Sequence, residues 1–313
     1  MVGRVLKKPA DGNRRPSVVS GTANFRSVAL ERRVLWLLVG FWIAAMPAVA
    51  ALRVNGSTTV NAVVVEAADL LRGERGLEIQ VDTAGGSSGG ISALGEGRVE
   101  MAMSSRPLSD EDRSRYPGVA FHPVRIGEDA VALVVSRDVW EGGVHSLSAD
   151  EMRGIYEGRI GNWRQLGGAE QRIAFFNKEP GRGTWEVFAH WLYGDAKRAP
   201  LVSFPEVGAN QEARAKVAST RGALSQLSAS WADGKAVFAL AIEKEPGEVL
   251  APSAENILNG RYPMRRSLFV ITNGPPQGNA QVLVDFLLSS RGQELVQAQG
   301  FLGIAERPAV AAR

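Results

Sequence analysis

The chain of 313 residues has no cysteine and only three histidines, His122, His145 and His190. Without cysteine there is no disulfide framework, no thiol nucleophile and no anchor point for a lipid. Histidines this scattered do not make a metal cluster. Nor is there a P-loop lysine motif, a dinucleotide fingerprint or a repeat of fixed period, which removes the common nucleotide-binding and solenoid readings. A charge excess is missing as well. The formal net charge is +3, but the first fifty residues carry eight Lys/Arg and two Asp/Glu, leaving 28 basic and 31 acidic side chains, about −3, in the rest. The basic surplus is confined to the leader and gives no support for nucleic-acid binding.

What is present begins with that leader. Arg32-Arg33 precede the uncharged apolar run Val34–Met46, and Ala48-Val49-Ala50 follow it. A charged n-region, an apolar h-region and an A-x-A site describe a secretory signal, with cleavage expected after Ala50. The alternative is an uncleaved inner-membrane anchor over residues 34–52. Pro47 and the small residues beside it favour processing, and a cysteine-free exported chain suits a bacterial periplasm. Residues 1–30, rich in Arg, Ser, Gly and Asn, read as a cytoplasmic extension of the leader or as the consequence of a misassigned start.

Three short turns rich in Gly, Ser and Thr follow strand-like runs: Gly56-Ser57-Thr58-Thr59, Gly85-Gly86-Ser87-Ser88-Gly89-Gly90 and Gly181-Arg182-Gly183-Thr184. Residues 51–54 read as a strand, and residues 60–71 place apolar side chains at helical spacing, so Ser57 to Thr59 fall at a helix N-terminus. Residues 77–81 alternate like a strand before the second turn, with a helix expected to open at Ile91. Strand-like residues 172–176 precede the third, and an amphipathic helix follows from Trp185. Unpaired N–H groups and the dipole at such helix starts suit a small anion. Each turn alone is equally an ordinary cap, since Ser and Thr are preferred N-caps. Lys178 and Arg182 add formal positive charge to the third.

Strand-like and helical runs alternate along the chain. Residues 130–135 form a continuous apolar run, as a buried strand does, and Ser148 with Glu151 has the spacing of a capping box. The pattern predicts an α/β architecture with mainly parallel sheets, whose ligands sit beyond the carboxyl ends of strands. The three turns lie there.

The residues resemble a known family, the periplasmic phosphate-binding proteins that deliver substrate to ABC transporters. The resemblance runs from about Leu52 to about Ile304. It is carried by Gly56–Val60 (GSTTV), Gly85–Ile91 (GGSSGGI), Met103–Ser109 (MSSRPLS), Leu147–Gly168 with its Asn-Trp loop, Tyr262–Val270 and the closing segment Val284–Gly300. It implies a type II periplasmic-binding-protein fold, two α/β lobes joined by crossover strands with a ligand cleft between them. The implied division is a leader over 1–50, a first lobe from 51–127 and 264–313, and a second lobe from 128–263. Carried over by position, Ser57, Thr58, Ser87, Ser88, Gly183 and Thr184 donate hydrogen bonds to phosphate, with Ser105 and Arg106 contributing from the loop after the third strand. No cofactor, metal or nucleic acid is implied. The implied partners are the oxyanion and the permease subunits of the inner membrane, and the implied state is a monomer.

The chain also departs from that pattern. Lys178 stands where the family has arginine, and an ammonium cannot make a planar bidentate contact. The third turn reads Gly181-Arg182-Gly183-Thr184-Trp185 where the family has Gly-Ser-Gly-Thr-Arg, so Arg182 either reaches the anion and replaces the lost groups or points to solvent. Trp185 is expected in lobe packing. Some relatives place an aspartate after the serine that corresponds to Ser105, an acceptor for the proton of monohydrogen phosphate. This chain has Arg106 there, and its nearest acids in sequence, Asp82 and Asp110, are not placed by the sequence. The resemblance implies phosphate as the ligand, with sulfate, arsenate or vanadate, or a sensor-linked phosphate binder, as alternatives. A reading of another class is a serine hydrolase: residues 85–89 match the G-x-S-x-G elbow around Ser87. No histidine lies in the last ~120 residues, where that fold supplies its base, so binding without chemistry is expected.

Overall fold

The computed structural model describes residues 51–304. The expected signal segment lies outside the described residues, and among these no helix is long and apolar enough to cross a membrane. The chain runs β1 (Leu52–Gly56), α1 (Thr58–Arg75), β2 (Ile79–Asp82), α2 (Gly86–Gly95), β3 (Met101–Ser104) and α3 (Asp110–Arg115) into a long strand, β4 (Phe121–Ser136). Next come α4 (Arg137–Glu141), β5 (Ser146–Ser148), α5 (Ala149–Tyr156), β6 (Ala174–Lys178), α6 (Gly183–Tyr193), β7 (Glu206–Val207), α7 (Asn210–Ser219) and β8 (Ala223–Ser228). The rest is β9 (Val237–Ala239), β10 (Ala241–Glu245), β11 (Glu248–Leu250), α8 (Ala254–Leu258), β12 (Arg265–Asn273), α9 (Gly278–Leu288) and α10 (Ser290–Ala298).

Local sequence accounts for the elements around the three turns. In α1, Val60, Val63, Val64, Ala67, Ala68 and Leu71 fall on one face and all are buried. Each of the larger ones contributes about 1.5–3 kcal/mol by leaving water. Ser57 caps the helix, its Oγ accepting from the N–H groups of Thr59 and Val60. Helix α2 starts at Gly86 and not, as the propensities suggest, at Ile91. Its glycines are helical because the helix lies on β1: a Cβ at Gly90 would come 2.4 Å from the Asn55 carbonyl oxygen. Similarly β6 continues through Asn177 and Lys178, which on propensity should break it, because β7 pairs alongside at those two residues.

The main sheet has the order β2-β1-β3-β12-β4-β8-β6-β7, with β9 paired on β4. Its outer thirds are parallel, β2-β1-β3 and β8-β6-β7, whereas β12 and β4 run antiparallel to their neighbours. The expectation of mainly parallel pairing thus holds only within each half. The antiparallel strands between them cross from one half to the other. One core gathers Val54, Leu71, Met103 and Leu268, and another Leu133, Tyr156, Phe175 and Leu224. Strand β4 serves both: its first part pairs with β12 and its last with β8. This is the two-lobed type II periplasmic-binding-protein arrangement, an α/β fold with crossover strands. The carboxyl ends of β1, β3 and β6 and the starts of α1, α2 and α6 meet between the lobes.

Candidate functional site

Where those ends meet, a small cavity of about 10 Å³ lies between the lobes. The first lobe supplies Ser57, Thr58 and Thr59 from the start of α1, Gly86 and Ser87 from α2, and Ser105 from the loop after β3. The second supplies Lys178, Arg182, Gly183, Thr184 and Gly208. Gly183 is needed for this approach, since a Cβ there would meet Ser105 Oγ at 2.6 Å and Ser87 Oγ at 2.7 Å. Eight of the ten residues named from the sequence are thereby brought together: Ser57, Thr58, Ser87, Ser105, Lys178, Arg182, Gly183 and Thr184.

The other two, Ser88 and Arg106, stand in a wall beside the cavity. Arg106 is ion-paired to Asp112 and, from its Nε, to Glu186 of α6, both at 2.5 Å. Its NH2 donates to Ser88 Oγ at 3.0 Å, and that hydroxyl donates to Glu186 Oε1 at 3.0 Å. Asp112 and Glu186 raise the pKa of Arg106 despite its burial. Burial pushes the Glu186 carboxyl up, against the pull of Arg106 and Ser88. Beyond this wall a larger, open cleft of about 760 Å³ carries Tyr116, Trp185, His190 and Trp191. Trp185 is half-buried there, its indole Nε1 enclosed and without an acceptor among the described residues.

A residue that sequence reasoning missed joins the three turns. Arg266, on β12, is the register partner of Asp129 on β4, and the two form a buried ion pair at 2.7 Å. The remaining guanidinium donors reach Thr59 Oγ1 at 3.2 Å, Thr184 Oγ1 at 2.9 Å and Ser105 Oγ at 3.3 Å. The signal was available: Arg266 is in phase with Leu268 and Val270, the inward positions of a strand whose register buries them. Thr59, Gly208 and Asn210 were also missed. Asn210 Nδ2 donates across the cleft to Thr59 Oγ1 at 2.9 Å.

Electrostatically the cavity is a cage of donors. Lys178 is 1 % exposed, and its Nζ donates to the Gly208 carbonyl at 2.8 Å without forming an ion pair among the described residues. Burial, then Arg182 and Arg266, push its pKa down to about 7. Arg182 lines the cavity and does not reach for solvent: Glu179 holds it at 2.7 Å, and its Cδ lies over Gly86. The hydroxyls of Ser57 and Thr59 are spent as acceptors, and that of Thr184 is half spent. Ser57 Oγ takes two backbone N–H groups, Thr59 Oγ1 takes Asn210 and Arg266, and Thr184 Oγ1 takes Arg266. Their three protons have no acceptor among the described residues. A buried donor left unmade costs about 1–3 kcal/mol, so the cage calls for an acceptor-rich guest. Ser87 Oγ accepts the Ser105 N–H at 3.1 Å and lies 3.4 Å from Ser105 Oγ. Asp82 and Asp110, the acids nearest in sequence, are exposed and do not line the cavity.

Comparison with known proteins agrees with this architecture. The family model described as a PBP superfamily domain matches residues 44–291. A phosphate-binding protein PstS of Bacillus subtilis is 29% identical over 257 residues, covering 82% of this chain and 81% of its own. Its counterpart in Borreliella burgdorferi is 26% identical over 260 residues, with 80% and 89% covered. Among solved structures, a Clostridium perfringens protein assigned as a phosphate ABC transporter substrate-binding protein, with phosphate bound, superposes at a TM-score of 0.72. It is 25% identical, with 82% of this chain and 100% of that one covered. With most of its length matched by the family model and its two lobes closing on a shared cavity, the chain belongs to the PBP superfamily.

Proposed function

We propose that this protein captures inorganic phosphate, or a tetrahedral oxyanion of like size and charge, between its lobes and presents it to ABC-type permease subunits of the inner membrane. The observation that carries the reading is Lys178: a buried ammonium with no carboxylate partner among the described residues, facing a cavity ringed by hydroxyl donors from three separate turns. An oxyanion supplies the missing negative charge and the missing acceptors together. The relatives named as phosphate-binding proteins support phosphate as the ligand. The C. perfringens relative, assigned to a phosphate ABC transporter, supports the transport role.

In this reading Ser57, Thr58, Ser87, Ser105, Lys178, Arg182, Gly183 and Thr184 contact the anion, while Ser88 and Arg106 hold the lobes together beside it. The lobes divide as 51–127 with 264–313 against 128–263. The protein acts by binding without chemistry: Ser87 is partnered by Ser105, which has no basic side chain to activate it. Export through the signal segment delivers it to the periplasm, where it works as a monomer. Isothermal titration with phosphate, sulfate, arsenate and vanadate tests the reading. Binding of phosphate is expected, and absence of binding by all four overturns it.

A further inference from the structure

The hydroxyls of the cage do not merely surround the anion; their polarity is set from behind. Arg266 donates to Thr59, Thr184 and Ser105 and is itself fixed by Asp129, whose other oxygen accepts from Ser228 Oγ at 2.9 Å. A hydroxyl oxygen has two lone pairs: on Thr59 both are taken, by Asn210 and Arg266, so that only its proton is left to offer, while on Thr184 and Ser105 the guanidinium takes one and turns the proton away from itself. We infer that Arg266 is a specificity-determining positioning residue: it biases the cage toward donating, so that the site selects a tetrahedral dianion chiefly by charge and shape and not by reading a proton on it. The inference rests on the proposed oxyanion binding and names its ligand class, sulfate alongside phosphate.

The chemistry separates the two ions. Monohydrogen phosphate carries one P–OH, which must donate to something, whereas sulfate only accepts. A site built to accept such a hydroxyl rejects the analogue lacking it by a factor on the order of 10⁴. Here no residue lining the cavity is acidic. Asp129 is engaged by Arg266 and Ser228, Glu179 by Arg182, and the Gly208 carbonyl by Lys178. Among the described residues no carboxylate is free to receive the phosphate proton, and a neutral acceptor such as the buried Asn210 Oδ1 is not left as an unpaired charge when sulfate binds, so sulfate carries only a small penalty for lacking it.

The test is isothermal titration of the purified protein with sodium phosphate and sodium sulfate, at a pH where phosphate is chiefly the dianion. Affinities within about a hundredfold of each other are expected, and a larger preference for phosphate overturns the inference while leaving the functional reading intact. Failure of both ions to bind overturns the inference, and failure of arsenate and vanadate as well removes the functional reading with it. Arg266→Lys keeps a cation against Asp129 but has too few and too short a set of donors for three hydroxyls. It is expected to shift the affinity ratio toward phosphate by about tenfold, as freed hydroxyls rotate to accept. An unchanged ratio in the folded variant defeats the positioning role. If Arg266→Lys does not fold, Thr184→Val decides: equal losses for both ions are expected, and a loss confined to phosphate, or none, overturns the inference.

Discussion

Lys178 concentrates the chemistry of the cage in one side chain. Burying an ammonium without a partner destabilises the empty protein, and the depressed pKa is the signature of that cost. Lys178→Met is therefore expected to raise the melting temperature of the ligand-free protein while weakening oxyanion binding by about a hundredfold or more, an expectation built on the worth of charge-assisted bonds. Thermal unfolding and titration measure the two effects separately. The same group sets a pH dependence. In the empty protein Lys178 is protonated below about 7, with Arg182 and Arg266 facing it as cations and Glu212 and Glu179 as anions. A bound dianion favours the ammonium, so binding takes up a proton above that pH. Sulfate, which does not titrate there, should bind up to about tenfold more weakly per unit as pH rises past 7. A flat profile between about pH 7 and 9 would show that Lys178 does not touch the anion. Its role was legible as a cation beside a glycine turn. Arg266 was legible only in part: its phase with Leu268 and Val270 marks an inward face, but next to Arg265 in a return strand it reads as one of a solvated pair until strand register puts it inside.

The helices and strands that form the cage were partly written in local sequence. Apolar spacing and a serine cap announced α1, and Ser148 with Glu151 forms the capping box expected of α5. Long-range contacts decided the rest. Gly86 begins a helix because β1 packs beneath α2, and Lys178 stays in a strand because β7 pairs with it; neither fact has a nearby residue to signal it. The antiparallel crossing of β12 and β4 escaped the alternation rule for the same reason. Helix α6 gives the sharpest test of how these pieces meet. It begins at Gly183 with no side-chain cap, and an added Cβ would press on Ser105 and Ser87 of the opposite lobe. Gly183→Ala should leave the unfolding midpoint of the empty protein nearly unchanged, since alanine is the better helix residue. It should weaken oxyanion binding by about tenfold or more, the cost of an overpacked interface. Denaturant unfolding alongside titration distinguishes this from a folding defect, which would move both.

Closure of the two lobes depends on bonds that cross the cleft without passing through the ligand. The Ser88 N–H donates to the Gly181 carbonyl at 3.2 Å, Asn210 reaches Thr59, and Lys197 of the second lobe pairs with Glu111 of the first at 2.6 Å. The Lys197–Glu111 pair is solvent-exposed and contributes little. The buried Arg106–Glu186 contact matters more, because Glu186 rides on the same helix whose first turn lines the cavity. In the empty protein Lys178, Arg182 and Arg266 repel one another across the cavity, which opposes closure; a dianion reverses the sign of that balance. Direct bonds such as Arg106–Glu186 then set how much of the ligand's interaction energy remains as affinity. Glu186→Gln keeps the shape and the acceptor for Arg106 but removes the charge, while Asp112 still neutralises the guanidinium. The loss should therefore sit near the low end for a broken buried pair, about 1–2 kcal/mol, or roughly tenfold in affinity. Small-angle scattering during a phosphate titration reads this directly. Both proteins should contract on saturation, with the variant needing about tenfold more ligand to reach the midpoint. Because Trp185 lies in the adjoining cleft with its indole N–H unpartnered, its emission should follow the same two midpoints. Contraction at the same ligand concentration in both proteins would mean that the anion alone closes the lobes and that the Arg106–Glu186 wall only follows.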